Sequence, residues 1–261
     1  MNRIDASFEQ RSHKALIAYL TVGYPGVEAT LEVAQSIANS GCDMIELGIP
    51  FSDPLADGAT IQRASHRALQ SGITPQRCLE VAADLRRRID IPLIFMGYYN
   101  PIFHYGLEQF CDACAGSGVD GLIVPDLPPE EGGELERISS KRGIDLIYLL
   151  APTTSDEGRM RLIADRSRGF IYVVSLKGVT GARQALTSDL EGFISRIRKT
   201  TDKPLCVGFG ISTAEQARRV ASLADGIIIG SRLLDIIDSS SDPATSAGEF
   251  IREIRQAIST D

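Results

Sequence analysis

Residues 16–49 read LIAYLTVGYPGVEATLEVAQSIANSGCDMIELGI. An aliphatic run, LIAYL at 16–20, gives way to an amphipathic segment from Val27, VEATLEVAQSIANSG, and then to a second apolar run, MIELGI at 44–49. The short runs carry strand signals and the longer segment has helical spacing, so the stretch is one β–α–β unit. The alternation continues along the chain. Further candidate strands are PLIFMGY at 92–98, GLIVP at 121–125, DLIYLL at 145–150, FIYVVS at 170–175, PLCVGF at 204–209 and GIIIG at 226–230. Eight strands, each followed by a helix, predict an α/β fold of the closed (β/α)8 TIM barrel type, with an open doubly wound sheet as the alternative.

A chain of 261 residues fits one such barrel. No Pro- or Ser-rich linker divides it, so residues 1–261 read as a single barrel domain. DSSSDPATSAG at 238–248 reads as a loop before the final helix. Two additions to a minimal barrel are expected: a short N-terminal helix before Lys14, and an extra helix after the second strand, because residues 61–90 hold two helical patterns separated near SGITP. TAEQARRVASLA from Thr213 is another helix, with Ser212 and Glu215 spaced as a capping box.

Hydrophobic residues at 43% and charged residues at 23% are ordinary for a globular protein. Lys and Arg number 27 against 34 Asp and Glu, a formal charge of −7, which disfavours a nucleic-acid role. The polar start, MNRIDASFEQRSHK, lacks the apolar core of a signal peptide, and no apolar stretch is long enough to span a bilayer; a cytoplasmic location is expected. Five scattered cysteines, Cys42, Cys78, Cys111, Cys114 and Cys206, suit a reducing compartment. Cys111 and Cys114 form a CxxC with no second pair or nearby His, which reads as one buried helix face ahead of a zinc or redox site.

In the strand at 44–49, Met44, Glu46 and Gly48 share one face, and Ile45, Leu47 and Ile49 the other. The fully apolar set should pack on the helices, leaving Glu46 to point into the barrel near its C-terminal mouth, where barrel enzymes keep their active sites. A carboxylate buried there without a partner is costly or holds a proton. The competing reading is a structural ion pair. Asp57, in LADG on the loop leaving this strand, can reach across the same mouth, although Asp-Gly is also a good turn; Asp53 before Pro54 suits a loop bend.

Two glycine-rich turns, GFGIS and GSRLL, follow the last two candidate strands and lead into helices. Loops in these positions commonly bind phosphate in this fold, which makes Gly210, Gly230 and Ser231 candidates for an anion site. GFGIST lacks the third glycine of a dinucleotide fingerprint. A third loop, SLKGVTGAR at 175–183, could hinge at Gly178 and Gly181 as a lid, or be a plain long loop. None of the five lysines falls inside a candidate strand, which leaves Lys177 on that loop as the remaining Schiff-base option, and His13, His66 and His104 form no metal-ligand spacing. Acid–base work by carboxylates on a small phosphorylated substrate remains, with no metal.

The stretch IELGIPFSDPLADG at 45–58 closely resembles the signature of the tryptophan synthase alpha chain family, and FMGYYNPIFHYG, LIVPDLPPEE, YVVSLKGVTGAR and VGFGIS resemble it in the expected order across the whole chain. The resemblance implies a retro-aldol lyase that cleaves indole-3-glycerol phosphate to indole and D-glyceraldehyde 3-phosphate. It needs no cofactor in this chain and passes indole to a beta chain that holds pyridoxal phosphate, in a complex of two alpha and two beta chains. It places the catalytic pair at Glu46 and Asp57, phosphate binding at Gly181, Gly210, Gly230 and Ser231, the indole and glycerol site at Tyr19, Tyr98, Ile123 and Tyr172, and a lid threonine at Thr180. Ala59 stands where many members have proline, and Leu176 and Lys177 vary the positions before Gly178; both differences bear on the lid and leave the carboxylates untouched. A free-standing indole-releasing lyase and a barrel that binds a phosphorylated ligand to regulate a partner are the competing readings.

Overall fold

Every strand expected from the sequence is present in the computed structural model, which describes residues 2–9, 13–174, 185–208 and 210–259. They are β1 (Ala15–Thr21), β2 (Met44–Gly48), β3 (Leu93–Met96), β4 (Gly121–Ile123), β5 (Asp145–Ile147), β6 (Leu149–Leu150), β7 (Ile171–Val174), β8 (Leu205–Gly208) and β9 (Gly226–Ile229). All pair in parallel, in the order β5-β4-β3-β2-β1-β9-β8-β7-β6. The two outer members of that order, β5 and β6, are joined by the single residue Tyr148, so the sheet closes on itself and the open doubly wound alternative falls.

The run at 145–150, expected as one strand, is two short ones. Tyr148 turns its N–H away from the ladder to the Ser167 hydroxyl, 3.0 Å, while its carbonyl still accepts from the Tyr172 N–H at 3.1 Å. Its phenol donates to Glu136 at 2.6 Å, which fixes the residue at the seam.

Helices cover the outside. α1 (Arg3–Glu9) is the expected N-terminal addition, and its Ile4 is fully buried. α2 (Val27–Asn39) buries Thr30, Leu31, Val33, Ala34 and Ile37, one stripe at helical spacing. The extra helix after β2 is confirmed as the pair α3 (Ala59–Gln70) and α4 (Pro75–Arg86); Thr74 caps the latter by accepting from the Arg77 N–H, with Pro75 in the first turn. The chain continues with α5 (Tyr99–Tyr105), α6 (Leu107–Gly116), α7 (Gly133–Ser140), α8 (Glu157–Arg166), α9 (Ala185–Arg198), α10 (Ala214–Ala221), α11 (Ser231–Ser239) and α12 (Pro243–Ser259). Cys111 and Cys114 are buried free thiols on α6, the plain helix-face reading.

Two boundaries differ from expectation. The capping of α10 is shifted by one residue: Thr213 is the cap and accepts from the Gln216 N–H, while the Gln216 side chain reaches back to the N–H and hydroxyl of Ser212, each at 2.9 Å. Gln216 has the length to do this, so Glu215 is not needed. The loop expected over 238–248 shrinks to 240–242, because Asp242 accepts from the Thr245 N–H and Pro243 opens α12, an Asp-Pro helix start inside a Ser-rich run.

At the N-terminal end of the barrel one device recurs. Asp43, Asp120 and Asp225 stand just before β2, β4 and β9, and each accepts the N–H of a residue on the neighbouring strand: Leu16 at 2.7 Å, Leu93 at 2.9 Å and Leu205 at 2.8 Å. Arg255, Arg86 and Arg198 neutralise them in turn, and Arg3 of α1 adds a second pair to Asp120. Charge-assisted hydrogen bonds thus hold the closed end, and the chemistry-bearing residues lie at the other.

Candidate active site

Glu46 occupies the middle of β2, with Tyr19 of β1 and Ile94 of β3 as its register partners. Alternation along β2 sends it inward, as expected, into a cavity of about 250 Å3 walled by Tyr19, Met96, Tyr172 and Ile228. The side chain is fully buried, and among the described residues neither carboxylate oxygen has a hydrogen-bond partner. No cation pairs with it among the described residues, which give the ion-pair reading no support. Burial alone pushes its pKa up to about 8, so the carboxyl holds its proton at neutral pH.

Asp57 is one residue ahead of the cap of α3, with Gly58 as that cap. Its Oδ1 is buried and unpartnered. Burial raises its pKa to about 6 while a hydrogen bond from Tyr98 opposes the rise, leaving the group ionised at neutral pH. Tyr98 is fixed in turn by the Ala56 N–H, which donates to its hydroxyl at 2.9 Å. The two carboxyl groups therefore hold different protonation states near pH 7, the arrangement that separates an acid from an anion. Asp53 is exposed, hydrogen-bonds Ser52 at 2.7 Å and belongs to the turn.

Tyr19 and Tyr172 flank Glu46 because the neighbouring strands leave room for them. A Cβ on Gly48 would lie 2.5 Å from the Tyr19 Cζ, and one on Gly208 would lie 2.6 Å from the Tyr172 Cζ. Each ring leans over a glycine on the adjacent strand, and both residues line the cavity. Burial first, and then the Asp57 charge for Tyr19 and the Glu46 charge for Tyr172, push both phenols well above the ordinary value, so they stay neutral donors. Ile123 is buried at the end of β4 and is not among the residues lining the cavity.

The other end of the cavity is lined by Gly210, Ile211, Ser212, Gly230 and Ser231. The two helices that start there are unlike. At α10 the Ser212 and Gln216 N–H groups are already taken by side chains. At α11 the cap is Gly230, which offers no side-chain acceptor, so the first-turn N–H groups remain for an anion. Gly210 has φ 79°, a conformation that turns the chain toward the cavity at little cost only for glycine. Thr180, Gly181 and the rest of the expected lid, with Lys177 and Gly178, lie outside the described residues. Sequence reasoning missed Ile61, Met96, Ile211, Ser212, Ile228, Arg232 and Asp235 as lining residues. Apolar positions give no functional signal, but Arg232 follows directly on the GS of the anion loop and could have been noticed.

A closed parallel barrel that keeps one protonated and one ionised carboxyl at its mouth, beside an uncapped helix start, defines an acid–base barrel enzyme for a small anionic substrate. The chain belongs to the tryptophan synthase alpha chain family, whose model matches residues 6–259. It is 54% identical to the tryptophan synthase alpha chain of Dehalococcoides mccartyi over 99% of this chain and 100% of that one, and 48% identical to that of Chloroflexus aggregans over 98% of both. Its fold is similar to the alpha subunit structure from Legionella pneumophila str. Paris, with TM-score 0.90 at 39% identity, covering 99% and 98% of the two chains. It also matches a Mycobacterium tuberculosis tryptophan synthase structure, with TM-score 0.91 at 33% identity over 100% and 99%. The protein is a carbon–carbon lyase of tryptophan biosynthesis that cleaves indole-3-glycerol phosphate to indole and glyceraldehyde 3-phosphate. Among the described residues no helix is long and apolar enough to cross a membrane, and no cluster of His, Cys, Asp or Glu could hold a metal ion.

Proposed function

We propose that Glu46 supplies and recovers the proton of this cleavage and that Asp57 carries the compensating charge. Loss of indole as a bare carbanion is prohibitive, so ring carbon C3 takes a proton first. The protonated Glu46 donates it, and the ring π electrons that form the new C–H bond leave positive charge at the ring nitrogen, where ionised Asp57 accepts the N–H hydrogen bond. Glu46, now a carboxylate, removes the proton of the side-chain hydroxyl on the carbon attached to C3. That carbon becomes an aldehyde, the carbon–carbon bond breaks, and its electron pair returns to the ring to give indole. Tyr19, Tyr98, Ile123 and Tyr172 are assigned to the indole and glycerol end, and Gly210, Gly230 and Ser231 with Gly181 to the phosphate end. Thr180 is assigned to the lid. The residues of this chain supply the acid–base chemistry without a cofactor of their own.

The observation that carries this reading is a fully buried, unpartnered Glu46 carboxyl facing the cavity. Glu46→Gln keeps the shape and removes the transferable proton; kcat should fall by a factor on the order of 10² or more with ligand affinity kept. Near-normal turnover would overturn the assignment.

The partner of this single barrel domain is taken to be a beta chain carrying pyridoxal phosphate, in an assembly of two alpha and two beta chains. What supports a docking face at the mouth is Leu55, 92% exposed, and Phe103, 61% exposed, on the segments that leave β2 and β3. A cytoplasmic location fits such a biosynthetic complex.

A further inference from the structure

The anion end of the cavity has one more lining residue that backbone chemistry does not account for. Arg232 is the second residue of α11, after the Gly230 cap and Ser231, and it lines the cavity with them. Side chains in a helix tilt toward its N-terminus, so an arginine in the first turn leans back over the free N–H groups. Among the described residues it has no ion-pair partner. The acid positioned to neutralise it, Asp235 at i+3, is engaged elsewhere: it accepts from the Thr60 hydroxyl at 3.2 Å and faces Arg63 at 3.6 Å. The Arg63–Asp235 pair thus leaves Arg232 as the uncompensated cation of the lining, on the same cavity as the unpartnered, fully buried Glu46.

We propose that Arg232 is a phosphate-binding residue, adding a guanidinium to a site otherwise made of backbone N–H groups and the Ser231 hydroxyl. The charge balance favours it. The Asp57 charge acts on the cavity's Tyr19 and Tyr172 when the substrate arrives as a phosphate dianion, and neutral N–H donors alone do not offset charges of one sign in a partly enclosed space. A guanidinium can offer two parallel N–H groups to two phosphate oxygens. Its exposure at the rim also lets it meet the phosphate before the indole is buried, so it contributes to capture as well as to holding. This rests on the assignment of the phosphate end given above.

The test compares indole-3-propanol phosphate with unphosphorylated indole-3-propanol on the full chain, alongside steady-state cleavage. Arg232→Ala should weaken the phosphorylated ligand about 10- to 30-fold and leave indole-3-propanol within about twofold. The loss in cleavage should fall mainly on KM, the salt dependence of binding should flatten, and Arg232→Lys should restore most of the affinity. Unchanged affinity for the phosphorylated ligand in Arg232→Ala would overturn the proposal, with backbone groups sufficient. Equal weakening of both ligands would also overturn it, since the residue would then act by shaping α11. A wild-type protein that fails to distinguish the two ligands would instead refute the phosphate end itself, an outcome separable from either.

Discussion

Burial raises the pKa of both Glu46 and Asp57 toward neutrality. On the proposed roles, cleavage requires a proton on Glu46 and none on Asp57, so kcat/KM should be bell-shaped, falling below about pH 6 and above about pH 8. Carbon-13 NMR of the labelled Glu46 carboxyl should show the same upper midpoint. Stability follows with a definite sign. In the unfolded chain Glu46 titrates near its ordinary 4.5 and in the folded chain near 8, so its contribution is most favourable below about pH 4.5 and is lost as the pH climbs through 8. The loss is on the order of 5 kcal/mol. Glu46→Leu removes the group, so its denaturation midpoint should match the native protein near pH 5 and exceed it near pH 8.5; the reverse ordering would restore the ion-pair reading. Glu46 itself was legible because a strand has only two faces and its apolar set occupied one of them. That it has no partner was not legible, since partners come from strands remote in sequence, and neither was the Tyr98 hydrogen bond that helps keep Asp57 ionised.

At the scale of elements, the site depends on strands that give up a side chain. Gly48 and Gly208 occupy register positions over which Tyr19 and Tyr172 lean. Gly48→Ala should push the Tyr19 ring into the cavity, cutting kcat/KM at least 10-fold while destabilising the fold by about 1–3 kcal/mol, the usual scale for overpacking. Kinetics and urea melts on the same variant separate the two effects. The eight-run alternation carried the strand pattern because buried parallel strands are nearly continuous apolar runs. Ends and breaks were less readable. Tyr148 interrupts its strand through contacts with Ser167 and Glu136, and α10 takes its cap from Thr213 because the Gln216 side chain folds back; both choices are settled by tertiary geometry rather than local spacing.

At the scale of the whole molecule, the aspartate–arginine pairs that precede β2, β4 and β9 sit at the end of the barrel opposite the candidate site. Asp120, buried and paired with Arg86 and Arg3, holds the start of β3 by the Leu93 N–H. Asp120→Ala strands two cations and an N–H, and should cost about 3–5 kcal/mol of stability, with kcat at the temperature of a still folded sample close to native. Urea denaturation and turnover at low temperature check the two halves of that statement. The sequence already suggested this polarity, since loops after strands carry the glycines and Asp57. The pairing of Asp43, Asp120 and Asp225 with Arg255, Arg86 and Arg198 was hidden, because an aspartate before a strand looks like any turn residue. Leu55, almost wholly exposed two residues before Asp57, gives the barrel mouth a built-in cleavage site. Chymotrypsin cuts after exposed leucine, and a nick there would separate β1 and β2 from the rest of the chain while leaving both pieces held in one sheet. The rate of that nick becomes a footprint of the mouth: a beta chain seated on this face should slow it severalfold, and a phosphate-bearing ligand should slow it further in the complex if the two bind cooperatively. A nicking rate indifferent to the beta chain would place the docking face elsewhere on the barrel.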